Sequence, residues 1–221
     1  MYFLDTNVPI GYTIIHDRWH ENSKNFIDNN KNSIFWSNFV KSEYYNKLDN
    51  ILDYIVKFLK SIVCILKVNE MDFYSYNSFE EHILNETRFC KLDYFKKQKI
   101  LENFWNEYDF IVGISTKLYD CFYNYAFDFV NNYNNRDLRL NEIMRLHDCG
   151  LDNYLKYYDY ALKLYKNGIH PPDCKIIIDA HDCGLTHDDL KFISNDNKLI
   201  DALSKIDTSN LRIIEFGLCN S

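Results

Sequence analysis

In Met1-Tyr2-Phe3-Leu4-Asp5-Thr6-Asn7 an apolar run too short for anything but a strand ends on a carboxylate, a hydroxyl and an amide. Asp and Asn form turns readily and strands poorly, so the polar trio belongs just past the carboxyl end of that strand. In an open α/β sheet this edge is where ligands bind. Asp5 is therefore the first candidate functional residue, and its partners are expected at the ends of other strands.

The residues that follow extend a β-α rhythm. Helical character over 17–30 leads to a short predicted strand over 33–36. Ser37 or Asn38 is a good N-cap for the next helix, which carries Phe39, Val40, Tyr44 and Leu48 at mostly helical spacing. From about 49 to 167 the apolar residues recur at three and four, and glycine and proline nearly vanish. Ser78-Phe79-Glu80-Glu81 matches a capping box. Helices are predicted over 92–108, 110–130, 138–149 and 154–165, while periodicity leaves 61–68 open between helix and strand. The β-α rhythm then returns. Gly168 stops a helix, Pro171-Pro172 lead into another from Asp173 to Gly184, and a strand (191–194), a helix (197–204) and a last strand (211–215) close the chain. This pattern predicts one α/β domain over 1–221, a three-layer α/β/α sandwich around a parallel sheet. The sheet and its site come from 1–48 and 168–221, with a helical elaboration over about 49–167.

Composition bounds the function. With 221 residues, 47% hydrophobic and 17% aromatic, the chain can bury a sizeable core. No run approaches the ~20 apolar residues of a membrane span. The amino terminus enters a strand at once, without the basic region and apolar core of a signal peptide, and a cytoplasmic protein is expected. Seven irregularly spaced cysteines without a C-x-x-C fit reduced thiols. The net charge of −7 argues against a broad electrostatic grip on nucleic acid, and it leaves room for acidic residues gathered around cations.

Four acidic positions stand where strands hand over to the next element: Asp5, Glu43 in the helix after the second strand, Asp173 opening its helix, and Asp196 after Phe192-Ile193. Each has an ordinary reading, as turn former, cap or solvated helix residue. Together on one sheet edge they would repel one another unless cations intervened. Mg²⁺ or Mn²⁺, hard ions that take oxygen ligands, are the natural complement, and helix amino termini on that edge favour phosphate. This is the layout for metal-assisted phosphodiester hydrolysis. Asp179 should not join the four, because six residues along a helix rotate it by about 240° from Asp173.

The strings FLDTN at Asp5, VKSE at Glu43, PPDCKIIIDA at Asp173 and FISND at Asp196 resemble the four acidic motifs of PIN-domain nucleases. The likeness covers about 45 residues at the front and 50 at the back. It implies a PIN-like fold and a metal-dependent endoribonuclease acting on single-stranded RNA, with Asp5, Glu43, Asp173 and Asp196 as catalytic metal ligands. Thr6, Asn7 and Ser194 would support them or contact phosphate. Many members are VapC-type toxins neutralised by a small antitoxin, so an antitoxin partner and a homodimer are part of the expectation. The interval between Glu43 and Asp173 is much longer than in compact toxins of this type. A non-catalytic PIN-like RNA-binding or scaffold protein is the alternative, although such members should have lost one of the acids. A haloacid-dehalogenase-type phosphatase would need a second Asp where this chain has Asn7.

His-Asp-Cys-Gly-Leu occurs twice, at His147–Leu151 and His181–Leu185. One reading is a zinc site from His147, Cys149, His181 and Cys183. The favoured reading makes both copies helix ends, with Gly150 and Gly184 at left-handed C′ positions and Leu151 and Leu185 folding back. Lys91, Lys96, Lys97 and Lys99, interleaved with Tyr94 and Phe95, form the most basic stretch and a weak RNA-binding candidate. Tyr154, Tyr157, Tyr158 and Tyr160 read as packing residues.

Overall fold

The computed structural model describes residues 1–68, 72–108, 115–149, 153–206, 208 and 211–219. They divide into two compact units. The first comprises Met1–Ile15, Trp19–Lys47 and Arg136–Ser221, and the second His16–Arg18 and Leu48–Asn135.

The first unit is built on strands β1 (Tyr2–Leu4), β2 (Ile34–Ser37), β3 (Arg145–His147), β4 (Lys191–Ser194) and β5 (Glu215–Leu218). Every pairing is parallel, and the order is β3-β2-β1-β4-β5. The protein is therefore an α/β fold with an all-parallel sheet. The central strand β1 is buried on both sides by its neighbours, with Phe3 opposite Phe35 and Phe192. The chain runs outward from β1 to β2 and β3, crosses to β4 on the other side, and runs outward again to β5. Right-handed crossovers put the helices of these two halves on opposite faces of the sheet. The strand order reverses between β1 and β4, which makes that crevice the topological switch point.

Helices α1 (Asn7–Thr13) and α2 (His20–Asn29) join β1 to β2. No helix was expected over 7–13, where the sequence reading stopped at the polar turn Asp5-Thr6-Asn7. Its apolar residues Val8, Ile10 and Tyr12 are nevertheless buried, so tertiary packing outweighs local propensity. Helix α3 (Asn38–Val68) is started by Ser37, whose hydroxyl accepts the Val40 N–H at 3.2 Å. It continues through 61–68, which settles that ambiguous stretch as helix. Helix α9 (Asp173–Gly184) buries Ile176, Ile177, Ile178 and Ala180, and α10 (Asn197–Ser204) leads towards β5.

In the second unit, α4 (Tyr76–Glu86) is capped by Ser75 rather than by the expected capping box at Ser78. The Ser75 hydroxyl accepts from the Ser78 N–H. Asp93 caps α5 (Tyr94–Glu107) in the same way. Phe79, Ile83, Ile100, Leu101, Phe104 and Phe122 form the core of this unit.

Five expectations are corrected here. The helix expected over 110–130 runs as α6 (Ser115–Ile143), and its first residues, 110–114, lie outside the described residues. The stretch 138–149 is not one helix: α6 ends at Ile143 and β3 follows. The sheet is therefore not drawn from 1–48 and 168–221 alone, because β3 comes from within the stretch assigned to the helical elaboration. The last strand is Glu215–Leu218 rather than 211–215. The stretch 154–165 is divided between α7 (Asn153–Lys156) and α8 (Tyr158–Lys166). Gly168 stops α8 as expected. Its φ is 84°, and Gly168 and Ile169 return N–H bonds to Tyr165 and Leu164, a Schellman arrangement. No helix among the described residues is long and apolar enough to cross a membrane, and all seven cysteines are free.

Candidate active site

Asp5 sits at the carboxyl end of β1, against the switch point, and is 5% exposed. Its Oδ1 accepts the Thr6 N–H at 2.6 Å. Its Oδ2 accepts from Asn7 Nδ2 and from the Ser194 hydroxyl, each at 2.6 Å. Ser194 closes β4, the parallel neighbour of β1, so sheet register itself brings it beside Asp5. Its oxygen also accepts from Asn7 Nδ2 at 3.0 Å and from the Asp196 N–H at 2.9 Å, which uses its whole hydrogen-bonding capacity. The Asn7 side-chain carbonyl accepts the Asn195 N–H at 2.8 Å. Asp-Thr-Asn after β1 and Ser-Asn-Asp after β4 thus interlock into one rigid floor.

The Thr6 hydroxyl points the other way and donates to Glu43 Oε2. Glu43 projects from the second turn of α3, and its Oε1 meets Lys47 Nζ at 2.8 Å one turn on. Asp173 opens α9 and is half-buried, and its carboxylate accepts no hydrogen bond from any described residue. It lies within electrostatic range of Asp5, Glu43 and Asp196. Asp196 is exposed and serves as the N-cap of α10, its Oδ1 accepting the N–H groups of Lys198 and Leu199 at 2.8 and 3.3 Å. Those amides are therefore taken by Asp196 and not offered to a phosphate at that helix end.

Electrostatics follow from this packing. Burial pushes Asp5 up to about 6, helped by the charge of Asp173 and opposed by the Ser194 hydroxyl, Lys47 and the Thr6 amide. Asp173 is raised as well, first by burial and then by Glu43 and Asp196, with Lys47 opposing. Lys47 thus pairs with Glu43 and opposes the rise of both Asp5 and Asp173. No three of the four bring donor atoms within 4.8 Å of one another; among the described residues only His147, Cys149 and Asp182 do so. A carboxylate that is half-buried without a donor beside three others fits an added cation.

All four acids identified in the sequence belong to the first unit and share this edge. Asp179 stays apart, as its helical rotation requires: it is 2% exposed, held by the Ser37 hydroxyl and raised by burial. Lys47 and Asn195 were missed. The i,i+4 spacing of Glu43 and Lys47 was the available signal for the first, while nothing local marks Asn195.

The lysine stretch is corrected at Lys97, which does not face solvent. Lys97 is buried, 6% exposed, and donates to the Thr87 carbonyl at 2.9 Å. Lys96 is paired with Asp17 and Asp93, and Lys99 with Glu102; Lys91 is exposed. The cap reading of the repeated pentapeptide is also corrected. His147 ends a strand, not a helix, and Gly150 and Leu151 lie outside the described residues. Gly184 does end α9, but its φ is not positive. Glycine is required there because a β-carbon would lie 1.9 Å from the Arg212 carbonyl oxygen. The four-residue zinc reading fails too, since His181 Nδ1 accepts the Arg212 N–H at 3.0 Å and Cys183 is buried. Compared with family models, with curated proteins and with solved structures, the chain shows no match to any of them.

Proposed function

We propose that the protein is a PIN-like, metal-dependent endoribonuclease that hydrolyses single-stranded RNA, with Mg²⁺ or Mn²⁺ held by Asp5, Glu43, Asp173 and Asp196. The observation that carries this reading is the gathering of four carboxylates at the β1/β4 switch point, one of them half-buried and without a donor. When bound, the ions supply charge neutralisation and a water acidic enough to attack at neutral pH. The chain supplies position. Ser194, Asn7 and the Thr6 amide fix the Asp5 carboxylate in one orientation, and Thr6 does the same for Glu43. Asp173, with no donor among the described residues, keeps its oxygens open to the cation. Lys47 holds Glu43 until substrate and cation arrive.

The bond between Lys47 and Glu43 and the wide spacing of the acids favour a second reading, a non-catalytic scaffold of the same fold. Incubation with mixed single-stranded RNA separates the two. The nuclease reading expects cutting with Mn²⁺, none with chelator, and a loss of at least about 100-fold in Asp5→Asn. Metal-independent cutting, or full activity in Asp5→Asn, contradicts the mechanism, and no cutting of any RNA supports the scaffold. A small antitoxin or a second copy of the chain as partner belongs to the same proposal, and size-exclusion chromatography of the chain with and without an upstream-encoded small protein tests it.

A further inference from the structure

The second constellation of metal-ligating side chains lies at the far end of α9. His147 is the last residue of β3, Cys149 follows it two residues on, and Asp182 stands in the last turn of α9. One donor atom from each lies within 4.8 Å of the other two, and His147 Nε2 is 3.1 Å from Asp182 Oδ2. All three side chains are half-buried. Tyr157 donates its hydroxyl to Asp182 Oδ1 at 2.8 Å, which orients the carboxylate and leaves Oδ2 turned to the histidine. A ligating carboxylate steadied by an outer hydrogen bond is how protein metal sites are commonly built.

We propose that His147 Nε2, Cys149 Sγ and Asp182 Oδ2 form a zinc site that clips the edge strand β3 to the end of α9. The donor set selects the metal: a thiolate and an imidazole suit borderline-soft zinc and not Mg²⁺, whose ligands are oxygens. Zinc bonds of about 2.0–2.3 Å at tetrahedral angles need donors roughly 3.3–3.8 Å apart, which small side-chain movements reach from the present spacing. On binding, the Cys149 thiol gives its proton to solvent, the thiolate takes one position, and three protein donors leave the fourth to water. The site is distinct from the acidic cluster. Asp173 and Asp182 are nine residues apart on one helix, about 14 Å along its axis. The clip also explains how β3 holds its place. It has three residues, largely exposed, and among the described residues pairs only with β2.

The full-length protein, stripped with chelator and titrated with Co²⁺ and then Zn²⁺, tests this. One equivalent of Co²⁺ is expected to give a thiolate-to-cobalt charge-transfer band that Zn²⁺ abolishes. Cys149→Ser is expected to lose the band and at least 100-fold in zinc affinity, and Tyr157→Phe to lose about 10-fold, the usual cost of an outer partner. Asp5→Asn is expected to keep both band and affinity. A band that persists in Cys149→Ser, or zinc affinity unchanged in both Cys149→Ser and His147→Gln, overturns the proposal. Should His147→Gln not fold, absence of the band from the wild-type protein overturns it equally.

Discussion

Asp5 accepts three hydrogen bonds and is still a reluctant anion, because burial outweighs them and holds its pKa up at about 6 against 3.8 for a free side chain. The sign of the linkage follows. In the cation-free protein the folded state binds the Asp5 proton more tightly than the unfolded state. The resulting stability is complete below pH 3.8 and is lost as pH rises through about 6. Above that the ionised carboxylate costs the fold at most about 3 kcal/mol. Asp5→Asn keeps an acceptor for the Thr6 amide and removes the charge. Its NH2 group faces the two donors on Oδ2, Asn7 Nδ2 and the Ser194 hydroxyl, which adds a cost at every pH; relative to wild type, the chelated variant is therefore expected to be about 1–2 kcal/mol more favourable at pH 8 than at pH 4. Urea denaturation at the two pH values measures this. A carboxylate whose ionisation costs the resting protein stability is the mark of a position kept for function; equal effects at both pH values would contradict that view.

Packing at the ends of elements explains positions that chemistry does not. Gly184 has no freedom for a side chain, since its β-carbon would meet the Arg212 carbonyl at 1.9 Å. Gly184→Ala is expected to cost more than about 2 kcal/mol through backbone displacement, read as a lowered urea midpoint. Lys97→Ala should cost about 1–2 kcal/mol by removing the buried stem and one of the two hydrogen bonds on the Thr87 carbonyl, which keeps the bond from the Cys90 N–H, with RNA cleavage unchanged when assayed on folded protein. The same local packing decides what the sequence could reveal. Strands β1, β2 and β4 were legible because they are central, apolar and followed by polar breaks. Strand β3 was not: Arg145-Leu146-His147 is an exposed edge segment of three residues, and its only signal is its pairing with β2. Helix α1 was hidden by Pro9 and Gly11, whose local preferences yield to the burial of Val8 and Ile10. The four acids were legible through their strand-end positions. Lys47 and Asn195 were not, because their roles depend on neighbours brought in by the fold.

For the whole molecule, charge bounds how the proposed RNA substrate would be held. The net charge is −7, and Lys96, Lys97 and Lys99 of the most basic stretch are engaged within the second unit. Affinity for single-stranded RNA should rest on few phosphate contacts, so log K is expected to fall with log salt at a slope no steeper than about −3. A much steeper slope in filter binding would point to a basic surface outside that stretch. The claim on which the function turns is that the β1/β4 switch point holds a divalent cation. Titration of the protein with Mn²⁺, followed by loss of the free-ion electron paramagnetic resonance signal, measures that directly. The expected result is saturable binding that Asp5→Asn and Asp173→Asn weaken at least tenfold and Cys149→Ser leaves unchanged. Equal Mn²⁺ binding by the wild-type protein and both carboxylate variants would contradict the account.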